Sequence, residues 1–474
     1  MNHPERYRGE EVVVLGLARS GVAVAKLFAD CGAVVTVNDK KERSLCPEAD
    51  ELAALGISVL CGGHPDTLIH PGVKLVVKNP GIPYSIEPVR QALRLGIEVV
   101  TEVEVASYIC EAPIIGITGS NGKTTTTTWV GLMLDEAGLR PIVAGNIGRA
   151  LCEAAMEATG ANRMVVELSS FQLKGTVHFR PSIACLLNVC ETHLDYHGTM
   201  EDYIASKAKI FANQTEQDVA VLNWDDAVCR GIAPTVKARL VPFSMKERLA
   251  RGVYMEPPLA SADEALTKSH RIVYKDEAGG ETVVLPAKQL GIPGKHNAGN
   301  ALAAVAVAIA AGAGLEPIRK ALREFRGVEH RLEFVEEKDG IAYYNNSKAT
   351  NWSATIADLQ SFDKPIVLIA GGKDRGSEFT PLLPYLKRSV KAVVAIGETR
   401  DKFARLAKEA GISLVKTVDT GSSAAETLEQ AVRDARSFAG PGDVVLLSPA
   451  CASWDMFESY EIRGRMFKES VHKL

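Results

Sequence analysis

At 474 residues the chain is longer than one ordinary core, and a usual domain size of roughly 100 to 200 residues suggests about three units. Its 54 Lys and Arg nearly balance 58 Asp and Glu, a formal net charge of -4, so no global field points to nucleic acid or an anionic membrane. A small, local partner is expected instead, and nine cysteines without framework spacing fit a reducing cytoplasm better than a disulfide scaffold.

The N-terminal stretch MNHPERYRGEE carries no apolar run behind its charges, so no secretory signal is expected there. Strand-like and helix-like segments alternate from there to the C-terminus, which predicts an α/β protein of mainly parallel sheets covered by helices. The first unit, 1–111, opens with EVVVLGLA, turns through Arg19-Ser20-Gly21 into a helix, and returns as VVTVND ending at Asp39. In the triplet Gly16, Ala18, Gly21 an alanine stands for the central glycine of a dinucleotide fingerprint, so a Rossmann-like unit for some nucleotide is expected, not one specific for NAD.

A P-loop-type unit, 112–328, opens with APIIGITG and continues as GITGSNGKTTTTT. The common phosphate loop puts four residues between its first glycine and the Gly-Lys pair, a position that here is Ile117, with Gly116 one residue further upstream. Backbone N–H groups of Gly119, Ser120, Asn121 and Gly122 and the following helix N-terminus suit phosphate oxygens, while Lys123 offsets charge on the terminal phosphates. Thr124, with Thr125 beside it, is placed to reach a magnesium ion; the rest of the threonine run is read as ordinary first-turn residues.

Glu167 ends the strand MVVELSS at the edge where the loop lies and can serve a second magnesium site. His193 follows the strand SIACLLNVC in ETHLDYHG, where a lone loop histidine is usually polar surface. Cys185, Cys190, His193 and His197 have the order of a zinc site, but an offset of five along one strand would turn the two thiols to opposite faces. Lys207, on the helix MEDYIASKAKIF, is not separated by spacing from Lys209. Between about Pro242 and Pro293 short antiparallel strands are expected in VYMEPP, RIVYK and ETVVLPA. The apolar run ALAAVAVAIAAGAG after GKHNAGN is shorter than the ~20 residues that span a bilayer and reads as a buried helix. A third unit, 329–474, repeats a Rossmann-like pattern with strands IAYYNNS, PIVLIAGG, AVVAIG and GDVVLLSPA, and its ligand edge is expected at NSKATN, GGKDRG and SPACAS.

Taken in order, GITGSNGKTT, ELSSFQL, THLDYHG, SKAKIF, GKHNAGN, HRLEF, NSKATN, AGGKDRG and LLSPACASWDMFESYEIRG resemble the motifs of the Mur ligases across all three units, and the last resembles the branch that adds D-glutamate. The wider glycine spacing is a feature of that superfamily's loop. The resemblance implies an ATP-dependent amide ligase acting on UDP-N-acetylmuramoyl-L-alanine and D-glutamate through an acyl phosphate, as a cytoplasmic monomer without nucleic acid or membrane partners. It implies two Mg2+ sites, with Thr124 and Glu167 at one and Glu167, His193 and Lys207 at the other, Lys207 being carbamylated by CO2.

The resemblance further implies that Arg19, Ser20, Asp39, Asn79 and Gly81 hold UDP, and that Asn146, Gln172 and His193 hold the sugar and peptide end. Asn300, Arg331, Asn346 and Lys348 would join the loop in holding ATP, and Thr350, Arg375, Ser453 and Tyr460 would hold D-glutamate. Members commonly carry Asp-Ser-Lys where this chain has Asn346-Ser347-Lys348, which keeps an acceptor oxygen but loses the charge. At Arg375 the match is to a basic residue, and at Tyr460 to an aromatic. The competing expectations are another Mur-type or folylpolyglutamate-type ligase, a nicotinamide-dependent oxidoreductase resting on the first unit's glycines, and a nucleotide switch resting on the loop alone.

Overall fold

The structure, a computed structural model, describes residues 1–259, 266–419, 421 and 423–474. They form two compact units: one mainly from the chain up to Pro286 with Asn300–Ala321, the other mainly from Ala287–Gly299 and Leu322–Leu474. Among the described residues no helix is long and apolar enough to cross a membrane.

The first unit holds two sheets. In the first, β1 (Glu11–Leu15), β2 (Val34–Asp39), β3 (Ser58–Cys61), β4 (Val73–Lys78) and β5 (Glu98–Val100) run in the order β3-β2-β1-β4-β5, every pair parallel. The burial of Val12, Val13, Val14 and Leu15 on both faces of β1 explains its unbroken apolar run. The order reverses beside β1, and the turn after β1 therefore opens at the sheet's switch point, where ligands bind in such folds.

The second sheet contains β6 (Ile114–Thr118), β7 (Pro141–Gly145), β8 (Arg163–Glu167), β9 (Ile183–Leu186), β10 (Val219–Asn223), β11 (Arg239–Ser244), β12 (Gly252–Glu256), β13 (Arg271–Lys275) and β14 (Glu281–Pro286). Its order is β14-β13-β12-β11-β10-β9-β6-β8-β7, with antiparallel pairing confined to β12, β13 and β14. Here too β6 stands where the order reverses, so the loop at 119–122 leaves the sheet at its switch point. The helix Glu102–Ile109 links the two sheets: the buried Glu104 carboxylate accepts hydrogen bonds from the N–H groups of Val177, His178 and Phe179 at 2.9, 2.8 and 3.1 Å. Thr101 Oγ1 adds a 2.7 Å bond to the Gln172 carbonyl.

In the second unit β15 (Glu333–Lys338), β16 (Ile341–Asn345), β17 (Ile366–Gly371), β18 (Val390–Ile396), β19 (Leu414–Thr417) and β20 (Val444–Leu447) run β15-β16-β20-β17-β18-β19. All but the β15–β16 pair are parallel, and β20 between β16 and β17 brings the segments after Asn345, Gly371 and Leu447 to one edge.

Three sequence readings change in detail. Strand β9 stops at Leu186, where its partner β6 gives way to the loop, so Cys190 lies beyond the strand and strand parity does not relate it to Cys185. Cys185 is buried and Cys190 exposed. Residues 295–300 do not precede a helix but form its first turns, within Lys295–Ala310. The short strands β3, β5, β15 and β19 have too little apolar periodicity to stand out; β19 has the burial pattern of an exposed edge.

Candidate active site

The loop after β6 is shaped by two close approaches. Gly122 is left-handed (φ 82°) at the N-cap of the helix Lys123–Glu136, and a Cβ there would sit 2.2 Å from Asn300 Oδ1, so glycine is required on two grounds. The loop backbone is strapped by Asn188, which accepts from Ser120 N–H through its carbonyl (2.9 Å) and from Asn121 N–H through Oδ1 (2.8 Å). Those two N–H groups are thereby engaged, whereas the N–H groups of the helix's first turn, Lys123 to Thr125, lack intrahelical acceptors. Lys123 Nζ donates to the carbonyls of Gly119 and Ser120 at 2.8 and 3.0 Å, keeping its charge over the loop. Asn188 carries no motif of its own; its place one residue beyond Leu187 at the loop's flank is visible only in the fold.

Lys207, which the family resemblance singled out and spacing did not, joins this group. On the helix Met200–Ala208 it is 1% exposed, and Nζ donates to the Gly119 carbonyl at 2.8 Å and stands 3.5 Å from Thr118 Oγ1. Burial, and then the charge of Lys123, lower its pKa to about 7. The Tyr203 ring, 4.8 Å from Nζ, walls this side, and its hydroxyl shares a 2.9 Å hydrogen bond with Ser120 Oγ. Lys209 points elsewhere, donating to the carbonyls of Lys174 and Thr176 at 2.7 and 2.9 Å. The two lysines that spacing could not separate thus have distinct surroundings.

Glu167, at the end of β8, is 1% exposed. Its Oε1 accepts from Asn146 Nδ2 at 2.8 Å, whereas Oε2 is buried with no hydrogen-bond partner. A buried carboxylate oxygen left unpaired is costly unless a cation or donor meets it. His193 is also left-handed (φ 57°) and caps the short helix Leu194–His197. Its ring packs edge-on against Phe171 (5.0 Å), and burial, with the charge of Lys123, lowers its pKa and favours neutral imidazole. His197 is held in a separate network, its ring nitrogens facing Asp202 Oδ2 (2.7 Å) and Ser170 Oγ (3.0 Å), and Asp202 is further paired with Lys174.

Among the described residues no three His, Cys, Asp or Glu side chains cluster as a metal cage. A hard cation such as Mg2+ is commonly held by one or two carboxylates together with substrate phosphates and water. The unpaired oxygen of Glu167 fits that mode.

At the switch point of the first sheet, Leu17 N–H donates to Asp39 Oδ2 (2.8 Å) and Ser20 Oγ to Asn79 Oδ1 (3.0 Å), drawing the ends of β1, β2 and β4 together. Gly16 is needed beneath them, since a Cβ there would meet Asn79 Nδ2 at 2.5 Å. Arg19 and Gly81 are exposed at the same edge. Sequence reasoning passed over Lys78, 1% exposed at the end of β4, whose Nζ donates to the carbonyls of Pro80 (3.2 Å) and Ile82 (2.8 Å) and to Tyr196 Oη (3.2 Å). It ties the segment containing Gly81 to the helix that His193 begins. Asn146 is exposed, and Gln172 is buried, its side-chain oxygen accepting from Ser169 in a capping box.

The second unit gathers most of its expected residues at the ends of β16 and β20. Lys348 Nζ donates to Tyr460 Oη at 2.9 Å, and burial raises the Tyr460 pKa to about 12. Fully buried Arg463 donates from Nε to Ser347 Oγ (3.0 Å) and from Nη2 to the carbonyls of Ser347 (2.7 Å) and Cys451 (3.1 Å). That guanidinium clamps the two motif loops together. Ser453 Oγ is buried without a partner, Thr350 and Arg375 are exposed, and the Arg375 guanidinium lies 5.6 Å from the Trp454 ring centroid. Arg331 sits between two left-handed residues, His330 (φ 63°) and Leu332 (φ 46°), and Asn346 Nδ2 faces the buried carboxylate of Asp358.

Comparison with known proteins agrees along the whole chain. Residues 10–101 match the model of the "Mur ligase MurD-like, N-terminal domain", 117–308 the "Mur ligase middle domain" and 330–451 the "Mur ligase, glutamate ligase domain". A UDP-N-acetylmuramoylalanine–D-glutamate ligase from Geobacillus sp. (strain WCH70) is 50% identical over 469 residues, covering 99% of this chain and 98% of the relative. The enzyme of that name from Bacillus subtilis (strain 168) is 44% identical over 475 residues, covering 100% of both. Among solved structures, the UDP-N-acetylmuramate–alanine ligase of Thermotoga maritima shares the fold with a TM-score of 0.58 at 20% identity, covering 98% of this chain and 99% of that one. A MurF structure from Acinetobacter baumannii does so with a TM-score of 0.57 at 21% identity, covering 88% and 87%. With three family models in order and full-length relatives at such identity, the chain belongs to the Mur ligase family.

Proposed function

We propose that this chain joins D-glutamate to UDP-N-acetylmuramoyl-L-alanine with cleavage of ATP to ADP and phosphate, in the cytoplasmic synthesis of peptidoglycan precursors. The observation that carries the reading is the meeting of Lys123, Lys207 and the Gly119 carbonyl on one loop, in a chain whose full-length relatives bear that enzyme's name. In this reading 1–111 binds UDP through Arg19, Ser20, Asp39, Asn79 and Gly81, and 112–328 binds ATP through Gly119 to Thr125 and Asn300. Residues 329–474 hold D-glutamate through Thr350, Arg375, Ser453 and Tyr460 and part of ATP through Arg331, Asn346 and Lys348.

The chemistry runs in two steps. The L-alanine carboxylate attacks the γ-phosphorus of ATP, breaking its bond to ADP, and Lys123 with the first-turn N–H groups stabilises charge on the transferring group. The D-glutamate amine then attacks the acyl carbon, loses its proton, and phosphate leaves from the tetrahedral intermediate. The Lys207 amine, favoured in its neutral form by burial, adds to CO2 with loss of a proton and becomes a carbamate anion. Thr124, Glu167, His193 and carbamylated Lys207 would hold magnesium, which supplies charge neutralisation for the converging anions. Asn146, Gln172 and His193 would place the sugar and peptide end.

An oxygen-transfer experiment checks the acyl phosphate. With the L-alanine carboxylate labelled with 18O, the released phosphate is expected to carry one labelled oxygen per turnover. Unlabelled phosphate would sink the acyl-phosphate step.

A further inference from the structure

Asn346, assigned above to ATP, has a partner the sequence did not indicate. Asp358, on the helix Trp352–Leu359, is 3% exposed, and both its oxygens lie within hydrogen-bond distance of Asn346 Nδ2, Oδ1 at 2.8 Å and Oδ2 at 2.7 Å. Ser448 Oγ, just past β20, donates to Oδ2 at 2.6 Å, and Ser448 in turn packs its hydroxyl against Thr355 Oγ1 at 2.9 Å. The carboxylate is therefore built into the sheet edge on a second set of partners. An amide facing a carboxylate must present its NH2 group, so the orientation of Asn346 is fixed by Asp358. Its Oδ1 accepts no hydrogen bond among the described residues, and the residue is only half-buried.

We propose that Asp358 is a positioning residue for ATP: it holds Asn346 by the amino group, turns Oδ1 outward as an acceptor for a nucleotide hydroxyl, and supplies from position 358 the negative charge that an aspartate at 346 would carry. This rests on the assignment of Asn346 to ATP. Two carboxylates at this separation cannot both stay ionised in a buried site, so Asn at 346 and Asp at 358 are alternatives to an aspartate at 346 with a neutral partner. Burial raises the Asp358 pKa to about 7, against which the bonds from Ser448 and Asn346 favour the anion.

The test is steady-state kinetics for each substrate on the full chain, with thermal unfolding of every variant. Asp358→Ala is expected to raise KM for ATP about tenfold, the size of one hydrogen bond to a charged group, and to leave kcat and the other KM values within about twofold. Asp358→Asn, which keeps the shape, replaces it should the alanine variant not fold. Asn346→Asp alone is expected to raise KM for ATP at least as much, and Asn346→Asp with Asp358→Asn to bring it back to within about threefold of the parent chain. An unchanged KM for ATP in Asp358→Ala, or a double variant no better than Asn346→Asp, overturns the inference. Asn346→Ala separates the levels: unchanged KM for ATP there removes the ATP assignment and this inference with it. A raised value there with none at Asp358→Ala removes the inference alone.

Discussion

Replacing Lys207 by alanine is expected to lower kcat by about 10²- to 10³-fold, the scale of losing a fixed electrostatic group from an active site, with partial recovery on adding short carboxylic acids. The cause is burial. A lysine 1% exposed, donating to a loop carbonyl and lying beside a second cation, is unfavourable as an ammonium. With a folded pKa near 7 against an ordinary 10.5, stability gained by deprotonation rises with pH between those values, and the neutral amine that carbamylation needs is present at and above about pH 7. At a fixed concentration of dissolved CO2, reactivation of CO2-depleted enzyme should accordingly speed up as pH rises through 7. Lys209→Ala is the control: that lysine bonds the carbonyls of Lys174 and Thr176, so its loss should cost stability, about 1–3 kcal/mol, and spare chemistry. Full activity in Lys207→Ala would rule out a catalytic carbamate.

Glu167→Gln is expected to cost a comparable 10²- to 10³-fold in kcat, and to raise the magnesium concentration needed for half-maximal rate. The substitution keeps the side chain's shape and the Asn146 contact but removes the charge behind the unpaired Oε2. If that oxygen exists for a cation, the ligand-free protein should not lose stability, because an uncompensated buried charge is itself costly. Unfolding temperature measured without nucleotide should therefore stay level or rise while activity falls. Activity within tenfold of the parent chain, or a large loss of stability, would instead make Glu167 a structural residue.

How much of this was legible beforehand depends on where each signal sits in the chain. The phosphate loop was readable because its chemistry is local: strand, glycines, lysine and helix follow one another within a few residues. Glu167 was readable through its position at a strand end. Lys207 was named only through family resemblance, since its distinctive surroundings come from burial against a loop 88 residues earlier, a relation that periodicity does not encode. Asn188 and Arg463 escaped for the same reason, each bonding backbone groups of a distant segment, and Lys78 because its distant partner is the Tyr196 hydroxyl, 118 residues later. Asp358 escaped because a single acid on an amphipathic helix looks like surface until the fold turns it inward.

The proposed ligation needs both a carboxylate substrate and an amine substrate, and phosphate release from ATP reads that requirement. With UDP-N-acetylmuramoyl-L-alanine and magnesium, release is expected only when D-glutamate is also present, in step with loss of the free amine. Release supported by L-glutamate and a folate in their place, or hydride transfer to a nicotinamide without ATP, would contradict it.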